Sequence, residues 1–440
     1  MPPISPSQPP AAPTSKETAP ADTGSPDAPE GDSLETPAPW RQRIQAIRDK
    51  TGIGGHARVD YYSASKRLDD NHSLPGLTFQ PKAAPKFGNW GDAKIEGRLT
   101  DQDLADRREP QQARLLEAYT NFYFKSFDVR IGKQNIPWGR ADALNPTDNL
   151  TPKDFTVLSA RDEDDRRTGT AAVKANYYRG PYTLSVVWLP LFNPSTIPLT
   201  APQGFLITEE KRNRGRSADQ GFAAKLDHTG GDLDWSVSYY YGLDVLPVGM
   251  PVTPTQSVLV HNRIHVIGLD FAKPIGRYGL RGEAAYVQTQ NPDGKDFFIK
   301  NPYFMAVMGV DRDITDDLNV NIQAYHRYIV SFNDPFAIED PVARSVAVLS
   351  DTFNQQLDRI QGGFTGRIKA TWLNKTLEGE LLGMLNLPRQ DFFLRPSLAY
   401  AVTDVWKAFV GWDIFNGRRD SFFGRLQPTS AFFVELRATF

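Results

Sequence analysis

The last ten residues constrain this chain more than any other stretch. In Ala431–Phe440, Phe432, Val434, Leu436, Ala438 and Phe440 fall at every second position, and Glu435, Arg437 and Thr439 fall between them. Side chains alternate faces along a strand, so one face is apolar and the other charged. The same period recurs upstream. Leu318, Val320, Ile322 and Ala324 alternate with Asn319, Asn321 and Gln323; Leu233, Trp235, Val237 and Tyr239 alternate with Asp234, Ser236 and Ser238. Ile360, Phe364, Ile368 and Trp372 alternate with Gln361, Thr365, Arg367, Lys369 and Thr371. Runs of about ten to fifteen residues exceed the usual strand of a soluble sandwich and suit tilted strands that cross a bilayer.

Composition fits that reading. The chain has 440 residues, 11% aromatics and a mean hydropathy of −0.45. No run of about 18 apolar residues exists, which argues against a transmembrane helix. A barrel keeps low mean hydropathy because its strands alternate. A net charge of −2 lacks the basic excess of a nucleic-acid binder. The absence of cysteine removes disulfides, thiolate metal sites and c-type haem attachment. The start, Met1-Pro2-Pro3-Ile4, carries no signal-peptide core. A barrel must first cross the inner membrane, so the expectation is a mature sequence behind an added start; a cytoplasmic protein is the alternative.

Three regions are predicted. Residues 1–39 are rich in Pro, Ala, Ser and Thr, a composition that predicts a disordered tail. Residues 40–51 read either as a short amphipathic helix, with Trp40, Ile44 and Ile47 on one face, or as a frayed linker. Residues 52–440 read as an all-β, antiparallel up-and-down transmembrane barrel.

Connections alternate short and long. Tight ones lie near Lys125–Phe127, Arg179–Pro181, Thr229–Asp232, Lys273–Arg277, Ile314–Asp317, Asn374–Lys375 and Thr403–Asp404. Long ones lie near 139–167, 191–217, 243–257, 291–301, 333–358, 387–390 and 416–430. This is the asymmetry of periplasmic turns and outer loops. It predicts a last strand that ends in the periplasm, a first strand near 54–63, and hairpins starting near 112, 168, 218, 258, 302, 359 and 391. The sum is about 16 strands. The segment Lys94–Leu99 is also strand-like; it belongs to the first outer loop, or has a further partner that makes 18.

The inward face is predicted to carry mixed charge. Arg130, Lys174, Lys225, Arg281, Arg327, Arg367, Lys369, Arg395, Lys407 and Arg437 share it with Glu117, Asp128, Glu283, Glu378, Glu380, Asp413 and Glu435. A self-paired, solvated wall and a lumen that favours anions are both open readings.

The most specific stretch is Gly132-Lys133-Gln134-Asn135-Ile136-Pro137-Trp138-Gly139-Arg140, followed by Asn145-Pro146-Thr147-Asp148. It resembles the Gly-Arg-Gln, Trp-Gly and Asn-Pro-x-Asp series of poorly characterised, porin-like proteobacterial outer-membrane barrels, with Lys133 in place of the usual Arg. The resemblance implies a porin-like barrel in the outer membrane of a Gram-negative cell. The same loop continues through Arg161, Asp162, Glu163, Asp164, Asp165, Arg166 and Arg167. With Arg140, Asp142 and Asp148 these form a candidate constriction, should the loop fold into the lumen; the alternative is a salt-bridged loop on the rim, with Trp138, Asn145 and Asp148 in ordinary turns.

Phe440 at the end of an amphipathic strand is similar to the signal read by the barrel-assembly machinery, which pairs with an exposed edge. Lys211, Arg212, Arg214 and Arg216, and Arg418, Arg419 and Arg425, are candidate contacts to lipopolysaccharide phosphates or to anionic solute. Phe415, Phe422 and Phe423 read as a loop tip or an interfacial girdle. The six histidines, His56, His72, His228, His261, His265 and His326, make no metal motif, and His261 and His265 are four apart on a strand. No nucleophile elbow, Walker loop or zincin motif appears. The expected role is non-enzymatic passage of a solute or polymer, without cofactor, with outer-membrane lipid and lipopolysaccharide as surroundings. A scaffold that binds a periplasmic protein or lipoprotein through residues 1–51, and a rim hydrolase, are the other readings.

Overall fold

The computed structural model describes residues 48, 50–64, 74–101, 111–155, 165–197, 204–210 and 217–440. In chain order the strands are β1 (Gly54–Tyr62), β2 (Leu74–Ala83), β3 (Gly91–Asp101), β4 (Gln112–Tyr123), β5 (Phe127–Gln134), β6 (Thr170–Arg179), β7 (Tyr182–Leu189), β8 (Leu206–Glu209), β9 (Gly221–His228), β10 (Asp234–Leu243), β11 (Val248–Thr253), β12 (Gln256–Val260), β13 (Arg263–Ile275), β14 (Tyr278–Gln288), β15 (Tyr303–Thr315), β16 (Leu318–Ile329), β17 (Ile360–Trp372), β18 (Leu377–Asn386), β19 (Asp391–Ala401), β20 (Trp406–Asn416) and β21 (Ala431–Thr439). All but β8, β11 and β12 form one 18-stranded sheet of antiparallel neighbours.

The sheet closes on itself. β1 pairs with β2 on one side and β21 on the other, with Val59 opposite Leu436 and Tyr62 opposite Phe433. At the seam the Gly55 N–H donates to the Phe440 carbonyl (3.0 Å), and the Phe440 N–H donates to that of Gly55 (3.1 Å). The Phe440 ring stacks on Phe79 at 5.7 Å. Closure leaves no unpaired edge, which a hydrocarbon environment demands.

Burial is inverted relative to a soluble protein. Val59, Ile95, Ile131, Ile267, Ile322 and Val434 point outward and are exposed, whereas Asp60, Glu117, Asp270, Glu283, Asp413 and Glu435 point inward and are buried. An apolar exterior of this extent is stable only in lipid. Trp90, Phe124, Tyr177, Tyr278, Trp372 and Trp406 are exposed beside the short turns, as an aromatic girdle requires.

The long periods place most strands where alternation predicts them, but the count of 16 is corrected to 18, the alternative. The partner of Lys94–Leu99 is β2, Leu74-Pro75-Gly76-Leu77-Thr78-Phe79-Gln80-Pro81-Lys82-Ala83. Two prolines and a glycine conceal it, because proline cannot donate to a ladder. The β2–β3 pairing accordingly passes from Phe79–Leu99 to Lys82–Glu96, leaving out Gln80 and Pro81.

Four long loops hold structure of their own. β8, β11 and β12 make a small separate sheet. Helix α1 (Pro341–Asn354) lies in the loop after β16, its N-terminus capped by the Asp340 carboxylate, which accepts from the Ala343 N–H at 2.7 Å. The Asp340-Pro341 start and the apolar spacing of Val342, Val346, Leu349 and Phe353 are helix signals that the strand-based reading passes over. A single turn, α2 (Phe422–Arg425), is capped by Ser421. Arg48, Lys50 and Thr51 are helical, and the remainder of 1–51 outside 48 and 50–51 lies outside the described residues.

Candidate functional site

Beyond β5 the chain turns into the barrel instead of over its rim. Ile136, Trp138 and Leu150 pack with inward residues of the wall, including Val187, Tyr240, Val266 and Val287. Part of the wall is therefore apolar where the segment lies on it.

One carboxylate organises the motif. Glu283, inward on β14, accepts from the backbone N–H groups of Arg140 (3.1 Å), Ala141 (3.2 Å) and Thr147 (2.8 Å). It also accepts from Thr147 Oγ1 (2.8 Å) and Asn145 Nδ2 (3.4 Å). Gly139 has a φ of +97°, and a Cβ there would stand 2.4 Å from Glu283 Oε2, so glycine is required twice over. The Trp-Gly-Arg and Asn-Pro-Thr pieces are thus two sides of one wrap around Glu283. Turn chemistry is present as well: Asn145 Nδ2 donates to the Ala141 carbonyl (2.6 Å) and the Asp148 N–H to that of Asn145 (3.1 Å).

Ion pairs extend the attachment. Arg140 meets Asp270 (2.6 Å) on β13 and Asp227 (3.4 Å) on β9. Asp142 accepts from Arg281 (3.0 Å) on β14 and from Asn321 Nδ2 (2.5 Å) on β16. Asp148 pairs with Arg167 (2.8 Å) and Lys153 (3.6 Å), joining the two ends of the segment. Asp154 pairs with Arg114 on β4. Asp165 reaches Arg58 on β1 (2.7 Å) and Arg98 on β3 (3.2 Å). Burial would push the Asp165 carboxyl up, but the two guanidiniums hold it below the usual carboxylate range. The segment is therefore fixed to the wall both at β9–β16 and at β1–β4. Arg161, Asp162, Glu163 and Asp164 lie outside the described residues.

A cavity of about 740 Å³ remains, lined by Asp142–Leu144, Phe155 and Arg166 on one side and by the β16–β21 wall on the other. The wall presents Arg367, Lys369, Arg395 and Lys407 with Glu378 and Glu380. Glu378 is shared by Lys369 (3.1 Å) and Lys407 (3.6 Å), and Arg395 is paired with Asp413. Arg367 has no ion pair among the described residues, and its Nε has no hydrogen-bond partner. Among the described residues, five cations and three carboxylates line this cavity, and one of the cations, Arg395, is neutralised from behind by Asp413. Above them Phe393, Phe415 and Phe423 stack at 5.1–6.1 Å with Phe422 and Leu426 packed alongside.

The placement of Phe415, Phe422 and Phe423 corrects their reading as a loop tip or girdle. Phe415 shares the inward parity of Lys407 and Asp413, and α2 folds Phe422 and Phe423 back over the lumen; the Phe423 N–H donates to Asp391 (2.7 Å).

The other candidate residues are distributed as follows. Arg130 donates to Asn121 (2.7 Å) and stacks over Tyr119. Arg327 is inward but donates to the carbonyls of Asn354 (2.9 Å) and Gln355 (3.1 Å), so it holds the end of α1. Arg437 pairs with Glu435 (2.8 Å). Arg418 pairs with Asp420 (3.0 Å), Arg425 closes α2, and Arg419 shares their loop; Lys211, Arg212, Arg214 and Arg216 lie outside the described residues. His261 is buried against the Asp244 carbonyl (2.7 Å), while His265 is exposed against Tyr239 (2.8 Å). Among the described residues no cluster of three metal-ligating side chains exists.

Several partners were not singled out in the sequence: Asp270, Arg58, Arg98 and Asn321. Asp270 carries a usable signal, a carboxylate between Leu269 and Phe271 with the parity of the inward face.

The sequence matches no protein-family model and no curated protein. Solved structures do match. OccAB3 of Acinetobacter baumannii is similar with a TM-score of 0.53 at 8% identity, over 88% of this chain and 98% of that one. OpdK of Pseudomonas aeruginosa, solved with vanillate, gives 0.52 at 8% identity, over 88% and 97%. OccK5 (OpdH) of the same organism gives 0.50 at 10% identity, over 88% and 96%. The chain has the fold of an outer-membrane porin. At these identities the likeness is one of fold.

Proposed function

We propose that this chain is a non-enzymatic channel of the Gram-negative outer membrane, with its bore set by segment 139–167. We further propose that it favours small organic anions with an apolar or aromatic part. The cavity carries the reading: about 740 Å³, five cations against three carboxylates among the described residues, and an aromatic cluster above them. An anion entering it gains from Arg367, which has no ion pair among the described residues, while its apolar part meets Phe393, Phe415 and Phe423. A low-dielectric wall strengthens such fields. The segment belongs to the bore because its attachments are inside the barrel, to Glu283, Asp270 and Asp165's arginines, and not to the rim. Vanillate, present in the OpdK structure, is an aromatic carboxylate and illustrates the class.

The test is single-channel recording of the full-length protein in planar bilayers, beside a variant with 139–167 replaced by a short Gly-Ser link. Steady current that rises about two- to fivefold in the variant is expected, because barrel conductance follows its narrowest section. Silence in both, with strand content intact by circular dichroism, contradicts a channel; equal current in both contradicts the role of the segment.

A further inference from the structure

A second cavity lies outside the lumen, among the long loops. It measures about 490 Å³ and is walled by β8, β11 and β12 below and by α1 above. Its character is opposite to that of the lumen: among the described residues no ionisable side chain lines it, and its surface is built from Ile207, Leu259, Val342, Val346, Leu349 and Phe353, with a few hydroxyls.

The walls are fixed independently of any occupant. The Gly249 N–H donates to Ser350 Oγ (3.2 Å), and Asn354 Nδ2 donates to the Pro247 carbonyl (3.0 Å). A Cβ at Gly249 would lie 2.9 Å from Val346 Cγ1, so glycine lets α1 approach β11 closely. At the far end of α1, Arg327 holds the carbonyls of Asn354 and Gln355. Helix and sheet are thus tied at Gly249, Pro247 and the C-terminal turn, yet the apolar face of α1 is only partly covered. Space of this size is in the range of small-ligand sites. A charged guest would lose its hydration with no partner in return, whereas apolar surface gains from leaving water.

We infer that this cavity is a binding site for a small neutral, largely apolar molecule at the outer face of the barrel, separate from the lumen. The inference goes beyond the channel reading, and its test reads binding, not current.

The experiment uses the full-length protein in lipid nanodiscs and a long-chain alcohol carrying a diazirine, photolysed and mapped by peptide mass spectrometry. Saturable labelling in 204–210, 255–260 and 341–353 is expected. Unlabelled 1-dodecanol should suppress it, and dodecanoate should be about tenfold weaker, since its charge finds no partner. Leu349→Asp should reduce labelling about fivefold or more by placing a charge in the apolar wall. Val342→Asp is the second variant; an acid in the first helical turn is compatible with the helix dipole, so α1 is kept. Labelling spread over the lipid-facing strands without saturation, equal competition by dodecanoate, or full labelling in both folded variants would overturn the inference.

Discussion

The two cavities are built from the same chain by opposite rules. The lumen cavity has charged walls whose members are mostly paired, and its shape depends on a segment that crosses the barrel. The outer cavity has no charged lining among the described residues, and side-chain-to-backbone hydrogen bonds from Ser350 and Asn354 tie the helix to Gly249 and Pro247. Strand alternation explains the first, because every inward position of a barrel in lipid must be compatible with water or with a paired loop. It says nothing of the second, which lies beyond the strand ends and follows helix chemistry. Polarity inside and apolarity outside is the rule of the barrel; the outer cavity shows that the loops obey a separate one.

The lumen and the outer cavity respond most differently to a change at Glu283. In Glu283→Ala five donors of the segment lose their common acceptor. Each bond to a charged group is worth about 1.5–3 kcal/mol, so the segment should detach from β14. Current should rise and become noisy, while alcohol labelling of the outer cavity stays unchanged. Glu283→Gln, which keeps an acceptor, should lie between. A smaller effect is expected from Arg367→Gln. The reversal potential in a salt gradient should shift toward cations, with about a two- to threefold fall in anion preference, because a positive charge with no ion pair among the described residues is removed from the bore. The outer cavity should again be indifferent.

The smallest effect concerns the outer region alone. Burial raises the Asp351 carboxyl well above its usual range, and Lys300 offsets this only in part. A carboxyl raised in the folded state costs nothing below its unfolded value and costs more as pH climbs toward the folded value. Asp351→Asn should therefore make α1 more resistant to proteolysis at pH 7 and leave it unchanged at pH 3, with channel current unaltered at both.

Much of the fold is legible in the sequence because a membrane barrel repeats one physical demand in every strand. Hairpins expected near 112, 302, 359 and 391 begin at Gln112, Tyr303, Ile360 and Asp391. β2 escapes that reading because Pro75, Gly76 and Pro81 mimic a loop; it pairs with β1 through all three, while its pairing with β3 leaves out Gln80 and Pro81. The site is legible in part. The motif at 132–148 marks itself by Gly139 and Asn145-Pro146, but its meaning depends on Glu283, more than a hundred residues away, and no local spacing connects them. Phe415 could have been placed by parity with Lys407 and Asp413; Phe423 could not, since α2 carries it back over the lumen.

On the proposed function, solute passes between segment 139–167 and the β16–β21 wall. The chain has no cysteine, so Ala143→Cys places a single thiol in the molecule, at an exposed position on the lining of that cavity. An anionic methanethiosulfonate reagent should be applied during single-channel recording. A stepwise fall in current on modification is predicted. Complete modification, verified by mass, with unchanged current would contradict the claim and place the path elsewhere.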